Sequence, residues 1–412
     1  MTQASPGTPR VLRAMNDRAA LDLLLAHGPL SRSRIGKLTG LSKPTASQLL
    51  ARLEAAGLVV VTGTSEGRPG PNAQLYAVAP TAAHVAGLDV TTLGIRAAVA
   101  DITGRTVGTY ELPTPGRRAA ADTGELVVRA VDGAAKDAGL VRGDLHRVVI
   151  GTPGAFDPST GRLRYASHLP GWHSPTLLDE LAAALPMPLA YDNDVNLAAV
   201  AEQRLGAAGG ADDFLLLWNE EGMGAALVIG GRLHRGFTGG AGEVGFLPVP
   251  GTALVRNAAR TGSGGYQELA GANAVLRLAD ELGLAYDRCA PMHEAAAALL
   301  RQALAATAAG PGSAAAADAG RYGELLRRYA TGLATGLASL VAMLDPELIV
   351  LSGGVLAAGG ERLRELVRAE LAELAVPRPR LVLGTVTEHP VLSGALQSAL
   401  ATTRDEVFDT SR

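Results

Sequence analysis

Residues 30–60 read LSRSRIGKLTGLSKPTASQLLARLEAAGLVV, and their punctuation spells two short helices joined by a tight turn. Ser31 can cap a helix over Arg32–Thr39, and Gly40 closes it. Ser42 can cap the next helix, whose first turn tolerates Pro44 because that amide has no helical partner. Gly57 ends it. Within this second helix Ala46, Leu49, Leu50 and Leu53 recur at helical spacing and point inward. Lys43, Thr45, Gln48 and Arg52 fall on the opposite face. With Ser42 and Ser47 they form a set of small, polar or basic side chains able to reach base edges or phosphates.

Working outward, residues 11–27 carry Leu12, Met15, Leu21, Leu24 and Leu25 at helical spacing and stop at Gly28-Pro29. Downstream, Leu58-Val59-Val60-Val61 and AQLYAVA (73–79) read as strands flanking the turn TGTSEGRPGPN. Three helices and a two-stranded wing make a winged helix-turn-helix over residues 1–80. The wing tip Gly67-Arg68-Pro69-Gly70 sets Arg68 on a stiff loop that fits a narrow, A·T-rich minor groove. A plain hairpin turn with one solvated arginine would give the same four residues, and a protein-binding winged helix would give the same helices. The head has no aromatic interleaving, which argues against single-stranded nucleic acid.

Charge separates this head from the rest. Residues 1–80 hold nine Lys or Arg and four Asp or Glu, a balance of +5; the net −3 of the 412-residue chain leaves −8 for the remainder. A basic head on an acidic body confines nucleic-acid contact to the head, although chance clustering of five charges gives the same figure. No apolar run is long and charge-free enough to span a bilayer, and the first twenty residues lack the apolar core of a signal peptide, so a cytoplasmic protein is expected. A single cysteine, Cys289, excludes an internal disulfide and a multi-cysteine metal site.

From His84 the pattern becomes strand, turn, strand: HVAGLDV, IRAAVADI, then TVGTYEL. It returns as DFLLLWN, GAALVIGG and RLHRG. Two such openings, with helical stretches between them, predict two similar α/β lobes. The Ala/Gly-rich stretch 307–320 reads as a surface loop.

Seven stretches in order resemble the ROK family of repressors, open reading frames and kinases: GLSKPTASQLLARLEAAGLV, GRPG, GTPGAFDPSTGRL, HLPGW, DNDVNLAAVAE, GGAGEVGF and VLSGG. The resemblance implies an α/β body of the actin-like, ribonuclease-H-like two-lobed fold, with a sugar site in its cleft, preceded by the winged helix-turn-helix. It implies domains at 1–80, at 82–200 (small lobe, joined by a C-terminal helix 390–405) and at 201–389 (large lobe). It also implies that Asn193 and Asp194 meet sugar hydroxyls; in the kinases this Asp is the general base. Glu243 and Glu268 match glutamates that grip hydroxyls, Pro153-Gly154 matches a backbone wall of the pocket, and His168 stands where the family often has a sugar-reaching Asn. Taken alone, the Asp could be a helix cap, the glutamates solvated and Pro153-Gly154 a plain turn. His173 and His234 lack metal-ligand spacing and read as surface residues.

Departures from the family pattern bear on chemistry. The Gly-Gly-Thr phosphate turn of the kinases is replaced by Asp89-Val90-Thr91-Thr92-Leu93-Gly94. That exchange removes flexible backbone and a hydroxyl donor. The second phosphate turn reads Trp218-Asn219-Glu220-Glu221-Gly222-Met223-Gly224, where two carboxylates repel a triphosphate. The zinc site of one His and three Cys is missing its ligands: Phe246 takes the histidine's place and residues 256–267 hold no cysteine. The sequence therefore leads to a cytoplasmic DNA-binding regulator, a repressor of carbohydrate metabolism, with no catalytic residues, cofactor or metal. Its expected partners are a sugar or sugar phosphate and double-stranded DNA, a palindromic operator with A·T-rich flanks. A homodimer or dimer of dimers suits two half-sites. An active sugar kinase with a DNA-binding head, and a ligand-independent repressor with a vestigial pocket, are the alternatives.

Overall fold

The computed structural model describes residues 9–64, 73–113, 123–157, 162–164, 172, 176–256, 264–308 and 318–411. The wing tip with Arg68, as well as His168, His173 and most of the 307–320 stretch, lie outside the described residues.

The head consists of α1 (Pro9–His27), β1 (Leu30–Ser31), α2 (Arg32–Thr39), α3 (Lys43–Ala55), β2 (Val59–Thr64) and β3 (Gln74–Val78). Its helix boundaries follow the caps read from sequence. Ser31 Oγ accepts from the Arg34 amide and Ser42 Oγ from the Thr45 amide, and Gly40 leaves α2 with φ +72°. The wing sheet has three strands, ordered β1-β3-β2, with Leu30 opposite Tyr76 and Ser31 opposite Leu75. A two-residue strand carries no periodicity of its own; its partner alone defines it. The head core gathers Leu21, Leu24, Ile35, Leu49, Leu50, Leu53, Leu58 and Val78, and it also takes in Ile102 and Phe408 from far along the chain.

Beyond the head come β4 (His84–Val90), β5 (Gly94–Asp101), β6 (Thr106–Pro113), α4 (Thr123–Asp137), β7 (Leu145–Thr152), β8 (Ala155–Asp157), β9 (Arg162–Arg164), α5 (Leu177–Ala184), β10 (Leu189–Asn193) and α6 (Asp194–Leu205). The second half holds β11 (Phe214–Asn219), β12 (Met223–Ile229), β13 (Arg232–His234), α7 (Tyr266–Ala270), α8 (Ala272–Glu281), α9 (Met292–Ala308), α10 (Ala319–Leu344), β14 (Leu348–Ser352), α11 (Gly354–Leu374), β15 (Arg380–Leu383) and α12 (Pro390–Val407).

Two five-stranded sheets run β10-β7-β4-β5-β6 and β15-β14-β11-β12-β13. Each opens with an antiparallel three-strand meander and adds its fourth strand beside the first. The repeated opening in the sequence is thus a repeated topology, that of the actin-like fold. In the second sheet β14 lies parallel to β11, with Leu215 opposite Ile349, and these two central strands are apolar runs because both their faces are covered.

The described chain falls into two compact units. The first holds residues 1–150, 174–191 and 395–412, so the head shares a unit with the first sheet and the C-terminal segment. The second holds residues 151–173 and 192–394. Its core is formed by α7 to α11 on the second sheet, with the fully buried Tyr266 and Tyr329 among the aliphatic side chains. The Tyr266 hydroxyl donates to the Leu333 carbonyl at 2.6 Å, and the Tyr329 hydroxyl meets Asn219 Nδ2 at 2.9 Å.

Candidate functional site

The recognition helix α3 buries Ala46, Leu49, Leu50 and Leu53 and exposes Ser42, Lys43, Thr45, Gln48 and Arg52. Ser42 and Thr45 hydroxyls lie 2.8 Å apart at its N-terminus. Ser47 is half-buried and donates to the Lys43 carbonyl at 2.9 Å, so its hydroxyl already has a partner. Lys43 and Gln48 are both exposed, with side chains long enough to reach a groove.

Arg52 has a second role that the sequence did not disclose. Its Nη2 donates to Asp17 Oδ1 at 2.7 Å, and the Asp17 side chain is only 4 % exposed. Asp17 Oδ2 accepts from the Thr410 hydroxyl at 3.0 Å. One residue on, Arg18 donates to Asp405 at 2.8 Å, pairs with Asp22 and lies 5.7 Å from the centre of the Phe408 ring. Phe408 is itself buried in the head core. The Asp17–Arg52 pair thus holds α1 against α3, and residues 405–410 brace α1 and add Phe408 to the head core. No local signal could have shown that brace, because its partners lie more than 380 residues apart.

In the second unit the described candidate sugar residues are Pro153, Gly154, Asn193, Asp194, Glu243 and Glu268. Asn193 caps α6: its Oδ1 accepts from the Val195 and Asn196 amides at 2.9 and 3.2 Å. Its Nδ2 donates to the Gly154 carbonyl at 3.1 Å, which joins the Pro153-Gly154 turn to the start of the helix. Asn193 is thus largely committed to protein partners, and the cap read from sequence onto the Asp belongs to it. Asp194 opens α6, where the helix dipole favours its negative charge, and its Oδ1 meets the Val195 amide at 2.8 Å.

Glu243 is brought in by the segment after β13. Gly242 holds φ +97°, and a Cβ there would lie 1.9 Å from the Ala225 carbonyl oxygen, so only glycine lets this segment press onto β12. The Ala225 amide donates to the Gly242 carbonyl at 2.8 Å. Burial pushes the Glu243 carboxyl above the usual carboxylate range, and no hydrogen bond or ion pair to its side chain is made among the described residues. Glu268 lies exposed on α7, whose Gln267 accepts from the Met223 amide. The Tyr266 amide donates to the Leu247 carbonyl, which sets α7 beside the turn that follows Glu243.

Of the two segments standing at kinase phosphate turns, the Thr91 turn is closed on itself, whereas the Glu220 turn is bonded to the start of α11. The Thr91 hydroxyl accepts from the Leu93 and Gly94 amides at 3.3 and 3.2 Å, and Leu93 is 79 % exposed. At the second turn Glu220 Oε2 accepts from the Gly354 amide at 3.0 Å, at the N-terminus of α11. A carboxylate of the chain thus sits where a helix start favours an anion. Among the described residues no group of three or more His, Cys, Asp and Glu could hold a metal ion. No helix among them is long and apolar enough to cross a membrane.

A winged helix head thus precedes a body of two sheets with one repeated topology. The ROK family model matches residues 85–396, and the chain belongs to that family. The MarR family model matches residues 15–68, the winged helix head. Glucokinase from Halalkalibacterium halodurans is 29% identical over 302 residues, covering 71% of this chain and 86% of that protein. A putative xylose repressor from Caldicellulosiruptor sp. is 26% identical over 243 residues, covering 59% of this chain and 61% of its own length. Among solved structures, a ROK-family transcriptional regulator described as a homologue of the E. coli MLC protein superposes with TM-score 0.69 over 97% of this chain and 98% of its own, at 17% identity. The ROK hexokinase from Thermus thermophilus gives TM-score 0.62 at 28% identity, over 78% of this chain and 99% of its own.

Proposed function

We propose that this protein is a transcriptional repressor of carbohydrate genes that binds double-stranded DNA through α3 and releases it when its ROK body binds a sugar or sugar phosphate. One observation carries the reading: α3 presents Lys43, Thr45 and Gln48 outward on a helix fixed from behind by a packed core. Arg68, outside the described residues, is kept in this proposal as the minor-groove contact, on A·T-rich flanks of a palindromic operator. A homodimer places two such heads on the two half-sites.

For the effector, the half-buried Glu243 carboxyl, which makes no side-chain hydrogen bond among the described residues, supports a contact to a ligand hydroxyl. Asp194 supplies the second carboxylate, Glu268 a third, and the Gly154 turn the wall. The repressor relatives favour this role, and the kinase relatives share the body. Glu220 on the α11 N-terminus and the self-bonded Thr91 turn favour a body without phosphoryl transfer, because the Gly354 and Gly94 amides already have partners in the chain.

Genomic footprinting followed by fluorescence anisotropy on the recovered site tests the reading. D-glucose or D-xylose is expected to weaken operator binding. Unchanged affinity across a sugar panel would leave a ligand-independent repressor, and sugar-dependent ATP turnover would make the protein a kinase.

A further inference from the structure

Among the described residues, an ion pair joins the two segments that carry the candidate sugar ligands. Asp192, on the strand just before Asn193, is buried, with its side chain 8 % exposed. Its Oδ1 accepts from the Asn193 amide at 2.9 Å and from Asn196 Nδ2 at 3.0 Å, which holds the start of α6. Its Oδ2 accepts from Arg235 Nε at 3.1 Å and Nη2 at 2.6 Å. Arg235 follows β13, and its carbonyl accepts from the Ala241 amide at 3.1 Å. That bond closes the loop 235–241 directly before Gly242 and Glu243. The guanidinium thus grips the Asn193–Asp194 turn, while the backbone of the same residue fixes the base of the Glu243 segment.

We propose that Arg235 is a positioning residue for the sugar site: through Asp192 it sets Glu243 and Asp194 at a fixed separation, so that one ligand can meet both. This rests on the sugar-binding reading of the same residues. A pair joining a half-exposed arginine to a buried aspartate suits the task. Two donors of its own segment, the Asn193 amide and Asn196 Nδ2, fix the aspartate, and the guanidinium then meets Oδ2 through both Nε and Nη2, which seats the loop. A ligand that spans two carboxylates gains from such preorganisation because the loop does not have to be ordered on binding.

The test uses the full chain with Arg235→Ala, Arg235→Lys, Asp192→Asn and, as a control, the exposed Arg232→Ala. Hydrogen exchange without ligand is read first. Arg235→Ala and Asp192→Asn are each expected to lose protection at both 195–197 and 241–246, with Arg232→Ala unchanged. Loss confined to 235–241 would overturn the proposal, whatever the ligand results. Calorimetry with D-glucose and D-xylose is read second. Affinity should fall on the order of tenfold in Arg235→Ala, recover in part in Arg235→Lys, and fall no further in the Arg235→Ala, Asp192→Asn double variant. Wild-type affinity in Arg235→Ala would also overturn it. If neither sugar binds the wild type while exchange rises at both segments, the clasp stands and the sugar reading fails.

Discussion

Two arginine–aspartate pairs, one in each unit, solve the same problem in two settings. In the head, Arg52 is 40 % exposed and reaches Asp17, 4 % exposed; in the second unit, Arg235 is 51 % exposed and reaches Asp192, 8 % exposed. Each aspartate is buried on one element and holds a half-exposed arginine from another. The difference lies in what is joined. Asp17 ties the recognition helix to α1 and, through Thr410, to the end of the chain. Asp192 ties the start of α6 to the loop before Glu243. The first pair holds the helix that presents Lys43, Thr45 and Gln48 outward; the second, on the proposal above, spaces Glu243 and Asp194 for a ligand.

The head half of that comparison breaks most visibly at Phe408. Replacing this buried ring by alanine should cost about 3–5 kcal/mol in denaturant unfolding, because it empties part of the head core. A loss below about 1 kcal/mol would mean that the C-terminal segment does not complete the head. Arg52→Met comes next. It leaves the Asp17 carboxylate with the Thr410 hydroxyl alone, at about 1–3 kcal/mol, held below the cost of a fully buried pair by the exposed half of the guanidinium. Arg52 also faces outward, so stability and operator affinity must be measured on the same variant. Gln48→Ala separates reading from rigidity: it should relax preference at one base pair by about 1–3 kcal/mol while leaving the unfolding curve in place.

The second unit is sharpened by pH. Glu243 is held protonated above its ordinary range, so the native state binds this proton more tightly than the unfolded chain. Its contribution to stability is present below the ordinary carboxylate range and is lost as pH rises through the raised value. Only the ionised form accepts a sugar hydroxyl at both oxygens, so sugar affinity should rise across that same window. Glu243→Gln should flatten both profiles; an unaltered pH dependence would remove Glu243 from the site. The smallest effect is expected at Glu220. Glu220→Gln should cost about 0.3–1 kcal/mol, the worth of one charge at a helix start, seen as a small shift in denaturation midpoint.

The same contrast explains what the sequence made legible. The helices and caps of the head follow from spacing within a few residues: Ser31, Gly40, Ser42 and the Ala46–Leu53 stripe all sit where the pattern put them. The repeated strand openings likewise announced two sheets of one topology. The pairs escaped because Asp17 and Arg52 are 35 residues apart, and Asp192 and Arg235 are 43 apart. Nothing local marks a partner at that distance. Within the motif DNDVN the protein contacts divide the roles: Asn193 is the cap and the link to Gly154, Asp192 the anchor to Asn196, and Asp194 the carboxylate at the helix start.

The most direct test of the account is an anisotropy titration of the full chain on its footprinted operator, with and without saturating D-glucose or D-xylose, at one fixed salt concentration. The account predicts sequence-specific binding that weakens when sugar is present, and a smaller sugar effect in Glu243→Gln. Binding that is equally tight with every sugar, or equally tight to unrelated DNA, would contradict it.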